Sequence, residues 1–448
     1  MTRHTLAVLA VFACGCDPQK ADWGFEAIAT LPTPVDDPNL GCGVVIPVDT
    51  LAAERAACSF GAGSHASTSL GIDEQTRAMI PIRHVIIMMK ENRSFDHLLG
   101  KLSDVLPDVE VVPASYSNPD QNGNAVFPMH ASTTCLPYDP GHQSQSVATC
   151  IDGGKMDGFV RNAAATTASD GTFVMGYYDA TDIPYDYWIA SSFAIDDRHF
   201  APMASGTFGN RDFMMFGTNA GVVDTGILYP SPDTPSIFQY LMNAGFTWGV
   251  YSDGLPLSGA LDWTNADPGV HPLSALLDAF DAGTLPNVAF VDGIENVQDD
   301  HPLADVQLGE AWSKSVIDHA LASPEWMRLA IFWTYDEAGA FADHVPPPSG
   351  CLAAPSGSTF TEMGPRIPLV ALSPWAKRAY VSHVVHDHTA ITRFIETLFD
   401  LPALTARDAN SDALFDLFDF SCGRDLTVPA SPSPGTGGCP NPNPLGAD

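Results

Sequence analysis

Two apolar runs in this chain end abruptly in carboxylates. Leu329 to Tyr335 is an almost continuous apolar segment, the pattern of a strand buried on both faces of a parallel sheet, and it stops at Asp336-Glu337. Ile82 to Met89 has the same design and runs into Lys90-Glu-Asn-Arg-Ser-Phe-Asp96. After Glu337 come Ala-Gly-Ala, then Asp343-His344 and three prolines that forbid regular structure. Helical spacing over Ser236–Gly245 followed by a strand over Phe246–Tyr251, and a helix over Leu273–Ala282 followed by a strand over Val288–Val291, form two helix-to-strand units. A helix over Gly309–Leu321 leads into the Leu329 strand, Pro368–Leu372 reads as a further strand, and Thr389–Phe399 as an amphipathic helix. This alternation predicts an α/β fold with a mostly parallel central sheet covered by helices on both faces. Ligands of such sheets bind outside the carboxyl ends of the strands, where both acidic runs would lie.

The turn-rich text from Val109 to Gly171 reads as insertions and loops, and no internal repeat is visible. Residues 17–80 read as a tether and irregular N-terminal segment, 81–424 as the catalytic domain, and 425–448 as a disordered Pro/Gly/Ser-rich tail. Residues 1–16 read as an export signal: a basic start, an apolar run from Leu6 to Ala13 too short to span a bilayer, and Ala13-Cys-Gly-Cys16. A small residue before Cys14 or Cys16 resembles a lipoprotein cleavage box, so the expected product is a cell-envelope lipoprotein or a secreted protein.

Charge narrows the partners. Lys and Arg number 20 against 53 Asp and Glu, a net charge of −33, which excludes nucleic acid and anionic membrane as partners of the main body. Any anionic substrate then needs a bound cation or a local cluster of Arg and His. The nine cysteines fit an oxidising compartment. Their spacing suggests local loops Cys42–Cys58 and Cys135–Cys150 and a longer tie Cys351–Cys422, leaving Cys439 odd. The expected state is a monomer, touching membrane only through a lipid anchor or its substrate.

Familiar nucleophile motifs are absent: the chain has no G-x-S-x-G elbow, H-E-x-x-H zinc helix or phosphate-binding P-loop. The best nucleophile context is Met203-Ala-Ser-Gly-Thr-Phe-Gly-Asn-Arg211, where Gly206 and Gly209 bracket Thr207 and would let an oxyanion approach closely. Asn210-Arg211 behind it reads as a helix start and an anion contact. His383, His386 and His388 precede a helix and read as structural or capping groups, with Asp387 or Thr389 as cap.

The segment Lys90-Glu-Asn-Arg-Ser-Phe-Asp96 resembles the signature of the bacterial phosphoesterase family, which includes phospholipases C and acid phosphatases. The likeness continues through His301-Pro302, Thr334–Pro348, Arg366-Ile-Pro368, His386–Glu396 and Leu404–Asn410, in the family's order. It implies an alkaline-phosphatase-like fold and a site holding one divalent metal ion of unknown identity. It places the metal ligands on Glu91, Asn92, Asp336 and Glu337, the nucleophile on Thr207, and three pocket histidines on His142, His301 and His344. Asn92 and Arg211 would also meet the substrate. The implied activity is exported, metal-dependent hydrolysis of phosphate esters, of phospholipase C type through a phosphothreonine, and the implied partner is a phosphate ester such as a phospholipid. The alternatives are an acid phosphatase or a catalytically silent surface lipoprotein.

Two departures stand out. The segment Ser205–Arg211 lacks the prolines of the family's nucleophile turn, which makes Ser205 a rival to Thr207, and Ala338-Gly-Ala340 replaces a glycine run. Tyr177, Tyr178, Tyr185, Tyr187 and Trp188 could cage a choline head group.

Overall fold

The structure is a computed structural model describing residues 42–219, 221–224, 234–254, 256–257, 269–353, 361–423 and 427–436. The export signal with Cys14 and Cys16, the tether up to residue 41, and Cys439 lie outside the described residues.

Eight strands make the central sheet: β1 His84–Lys90, β2 Ala194–Asp196, β3 Trp248–Tyr251, β4 Val270–His271, β5 Val288–Val291, β6 Leu329–Tyr335, β7 Leu369–Leu372 and β8 Tyr380–Ser382. Their order is β8-β2-β7-β6-β1-β5-β3-β4. Only β7 runs antiparallel to its neighbours, β6 and β2; every other pairing is parallel. The expected α/β architecture with a mostly parallel sheet is therefore the architecture observed. Side chains of β6 alternate between the two faces, yet all seven residues are buried, so both faces are covered. Each large apolar side chain so buried contributes about 1.5–3 kcal/mol, which anchors the strands that carry the acidic runs.

Among the helices are α1 Thr207–Phe216, α2 Val306–Ala322 and α3 His388–Phe399. Helices α1 and α3 pack on each other, and Leu273–Ala282 packs on α2. Asp387 caps α3, accepting the Thr389 N–H.

The structure corrects three expectations. The stretch read as loops contains the helices Ser144–Ile151 and Phe159–Thr166. Val147, Ile151, Phe159 and Val160 from them form a second small core, and each helix is short and set beside turn residues such as Asp152-Gly-Gly154. The tail is not featureless either. Gly435 N–H donates to Glu310 on α2 at 2.7 Å, and Lys314 of α2 donates to Ser431, so this part of the tail docks on that helix. The disulfides observed are Cys42–Cys422 and Cys58–Cys351, rather than the local pairs. Cys135 is disulfide-bonded, whereas Cys150 is a free thiol filling the second core. Sequence separation gave the wrong partners because folding brings together residues 380 and 293 positions apart.

Candidate functional site

Adjacent parallel strands deliver the acidic residues together. Lys90 of β1 pairs in register with Tyr335 of β6, so Glu91-Asn92 and Asp336-Glu337 leave the sheet side by side. Asn92 takes a left-handed conformation at φ 60°, which Asn tolerates better than most residues. Its N–H donates to Asp336 Oδ1 at 3.2 Å, and the Glu337 N–H donates to the same oxygen at 2.7 Å. Gly339 has φ +59°, and a Cβ there would stand 2.3 Å from the Asn92 carbonyl oxygen. Only glycine lets the two turns close on each other.

Thr207 opens α1 after Gly206, so the helix begins before Asn210-Arg211, the start read from the sequence. The Thr207 hydroxyl donates to Glu91 Oε2 at 3.1 Å. The Ser205 hydroxyl instead donates to the Val223 carbonyl. One turn along α1, the buried Arg211 guanidinium donates to Glu91 Oε1 at 2.6 Å and Asp292 Oδ1 at 2.9 Å, and its Nε lies 3.4 Å from Asp336 Oδ2. Its cation therefore offsets a cage of carboxylates.

Two of the three expected histidines join this cage. His142 Nε2 lies 3.5 Å from Asn92 Nδ2, while its Nδ1 donates to the Pro140 carbonyl at 2.9 Å. The rings of His142 and His301 meet edge to face at 6.1 Å. Burial alone would depress His142, but Glu337 and the neighbouring Asp139 outweigh it and push it up to about 10. His301 is lowered, chiefly by burial. His344 makes its contacts in a different network. It shares Asp96 with Arg366: His344 Nδ1 lies 2.7 Å from Asp96 Oδ2, and Arg366 donates to Asp96 Oδ1 at 2.9 Å.

The cage carries more negative charge than its protein cations balance. Burial and then Asp336 push Glu91 well above the ordinary carboxylate range. Burial, with Asp336 opposed by His142, raises Glu337 to about 8. Two buried acceptors in the same turns, Asn92 Oδ1 and Glu337 Oε1, have no hydrogen-bond partner. Orphaned buried acceptors are costly, and these two sit beside repelling carboxylates. Three carboxylates and one amide oxygen fit a hard or borderline divalent cation, and no thiolate is among them.

Several residues that sequence reasoning passed over also serve this cage. Asp292 directly follows β5 and holds Arg211, the same strand-end placement that marks Glu91 and Asp336. Asp299 accepts the His301 N–H at 3.1 Å, and its own carbonyl accepts the Glu91 N–H at 2.7 Å. His388, read only as a structural or capping group, donates from Nε2 to the Asp336 carbonyl at 2.9 Å. The proposed aromatic cage is overturned: Tyr178, Tyr185 and Tyr187 are buried in the main core, with Trp188 packed against it.

A family model described as Phosphoesterase family matches residues 82–402. Among curated proteins, the chain is 29% identical over 372 residues to non-specific phospholipase C1 of Arabidopsis thaliana, covering 73% of this chain and 69% of that protein. It is 29% identical to phospholipase C A of Mycobacterium tuberculosis, covering 80% and 81% of the two chains. Against the non-hemolytic phospholipase C of Pseudomonas aeruginosa it is 30% identical, covering 71% of this chain and 54% of that one. Among solved structures it is similar to murine ectonucleotide pyrophosphatase/phosphodiesterase 5, with 12% identity, a TM-score of 0.37, and coverage of 53% and 94%. A Vibrio parahaemolyticus protein in the alkaline phosphatase superfamily matches with 10% identity, a TM-score of 0.35, and coverage of 70% and 77%.

Proposed function

The chain belongs to the phosphoesterase family and is a phosphoric ester hydrolase; from that premise we propose an exported, metal-dependent enzyme of phospholipase C type with Thr207 as nucleophile. The observation that carries the reading is the Thr207 hydroxyl, 3.1 Å from Glu91 at the first turn of α1, beside the orphaned acceptors of Asn92 and Glu337. The open N–H groups of a helix start favour an anion next to Thr207.

Glu91, Asn92, Asp336 and Glu337 would hold one divalent cation. Such a cation lowers the pKa of a neighbouring hydroxyl and neutralises charge on a phosphoryl oxygen. The Thr207 proton faces Glu91, and Thr207 Oγ1 attacks phosphorus in line. The P–O bond to the alcohol breaks, leaving a phosphothreonine and the alcohol. Water then attacks that phosphorus, the bond from phosphorus to Thr207 Oγ1 breaks, the hydroxyl regains a proton, and the phosphorylated head group leaves as the second product. His142 and His301, which join the cage, are the candidates for protonating the leaving alkoxide or donating to phosphoryl oxygens, and His344, bonded to Asp96, is the third histidine that the family likeness names. Arg211 offsets the ligand carboxylates and adds positive charge where phosphate charge accumulates. Export is supported by the disulfides Cys42–Cys422 and Cys58–Cys351, a kind of bond that persists in oxidising compartments. Among the described residues no helix is long and apolar enough to cross a membrane.

The test pairs 4-nitrophenyl phosphorylcholine with 4-nitrophenyl phosphate, comparing the metal-replete protein with Thr207→Ala. Turnover of the diester, lost in the variant, is the expected result. Turnover of the monoester alone would move the protein to the acid phosphatase branch. Activity surviving in Thr207→Ala would return Ser205 as nucleophile. A folded, metal-loaded protein inert on both substrates would favour a silent binding protein.

A further inference from the structure

Lys90 and Tyr335 do more than set the register of the two acidic turns. Register partners point their side chains to the same face of a sheet, and these two converge on Asp300, fully buried in the loop between β5 and α2. Lys90 Nζ lies 2.5 Å from Asp300 Oδ2, and the Tyr335 hydroxyl donates to the same oxygen at 2.6 Å. The rings of Trp333 and Tyr335 stand 5.6 and 5.5 Å from the ammonium, which is fully buried. Arg93 Nε donates to the Asp300 carbonyl at 2.8 Å. From α2, Gly309 comes so close that a Cβ there would stand 1.7 Å from Asp300 Oδ1. Asp300 itself takes φ 70°, a left-handed state that a residue other than glycine keeps only where its surroundings hold it.

Both neighbours of Asp300 belong to the cage. Asp299 accepts the His301 N–H and offers its carbonyl to the Glu91 N–H. His301 Nδ1 donates to the Pro302 carbonyl at 3.2 Å, which leaves Nε2 to serve the pocket. Asp300 therefore ties the His301 loop to the two strands that end at Glu91 and Asp336. Cohesion alone does not account for this, because apolar packing of the same volume often stabilises a protein as well as a buried ion pair does. Two donors on one carboxylate oxygen and a third on the carbonyl fix a direction, which apolar packing would not.

We infer that Asp300, held by Lys90 and Tyr335, is a positioning residue that sets where His301 stands relative to a phosphate ester at Thr207. This role belongs to the proposed hydrolase and rests on that reading. The competing role is purely structural: the ion pair serves folding and has no part in turnover.

The experiment is a double-mutant cycle on the metal-replete full chain, with kcat and KM measured for Asp300→Asn, His301→Ala and the two together. The substrate is whichever of 4-nitrophenyl phosphorylcholine and 4-nitrophenyl phosphate wild type turns over. Asp300→Asn keeps the shape of the side chain and loses its charge. A catalytic group misplaced by about 1 Å costs on the order of 100-fold, so kcat is expected to fall about 10–100-fold while KM stays near its wild-type value. In the His301→Ala background, Asp300→Asn is expected to cost no more than about twofold further, because the group it positions is gone. An equal fall in both backgrounds, or an unchanged kcat in Asp300→Asn alone, would overturn the inference and leave the hydrolase reading standing. Wild-type turnover in His301→Ala would instead take that histidine out of the reaction, and the inference with it. Turnover of neither ester by wild type would sink the hydrolase reading and the inference together. If Asp300→Asn does not yield folded protein, Tyr335→Phe removes one hydrogen bond to Asp300, and its smaller fall in kcat is expected to vanish in the same way beside His301→Ala.

Discussion

Glu91 and Asp336 emerge together from adjacent strands because Lys90 and Tyr335, the residues just before them, are register partners. Buried and facing one another, they raise the cost of keeping both ionised, which the proposed divalent cation would relieve. Mn2+ at a hundred times its dissociation constant should therefore stabilise the chelator-stripped protein by about 2.7 kcal/mol through this site. The check is thermal unfolding with and without the ion, in wild type and in Glu337→Gln. An increment that is the same in both would remove Glu337 from the ligand set.

His388 is expected to act on turnover without touching substrate. It is fully buried, kept neutral at about 4 chiefly by burial, and bonded to the backbone carbonyl of Asp336. His388→Ala should weaken metal affinity and lower kcat/KM by about 10–100-fold, the range for groups that orient a metal ligand. His388→Asn can still donate a hydrogen bond and should recover part of that loss. If both variants lose stability but keep wild-type metal affinity, His388 is a packing residue only.

Acid should weaken the start of α3. Burial would raise Asp387, but Arg407 and the Thr389 hydrogen bonds outweigh it and hold the carboxyl below its ordinary 3.8. A depressed carboxylate contributes its full stabilisation above 3.8 and loses it as pH falls through the folded-state value. Asp387→Asn should flatten the acid limb of unfolding temperature against pH. At pH 7 it should cost roughly 3 kcal/mol, because Arg407 is left buried without its partner. An acid limb unchanged in slope would assign the pH dependence to other carboxylates.

The two long-range disulfides close loops with separations of 380 and 293 residues. Replacing Cys58 and Cys351 with alanine should lower stability by roughly 5.7 kcal/mol in the chain-entropy view of a 293-residue loop. Peptide mapping without reduction should recover Cys42–Cys422 and Cys58–Cys351 fragments. Recovery of a Cys42–Cys58 fragment from the native protein would contradict the fold's closure.

Local pattern was enough wherever an element is long and shows one environment along its length. The strands Leu329–Tyr335 and Val288–Val291 and the helix Leu273–Ala282 occupy the bounds that their apolar spacing predicts. The strand-end acids at 91 and 336 were legible for the same reason, since a buried run that stops at a carboxylate is a contrast within a few residues. Strands β2, β4 and β8 are two or three residues long, too short to establish a period, and exist because neighbouring strands supply hydrogen-bond partners. Asp292 follows a four-residue strand and resembles any acidic turn until Arg211 is folded against it. His388 meets a carbonyl 52 residues earlier, and backbone oxygens carry no sequence signature. Cysteine pairing, the commitment of the Ser205 hydroxyl to Val223, and the meeting of Thr207 with Glu91 are likewise contacts between distant segments. Hydrophobic period is a property of neighbours along the chain, whereas these partners are chosen by how the sheet orders its strands and where the covering helices cross it.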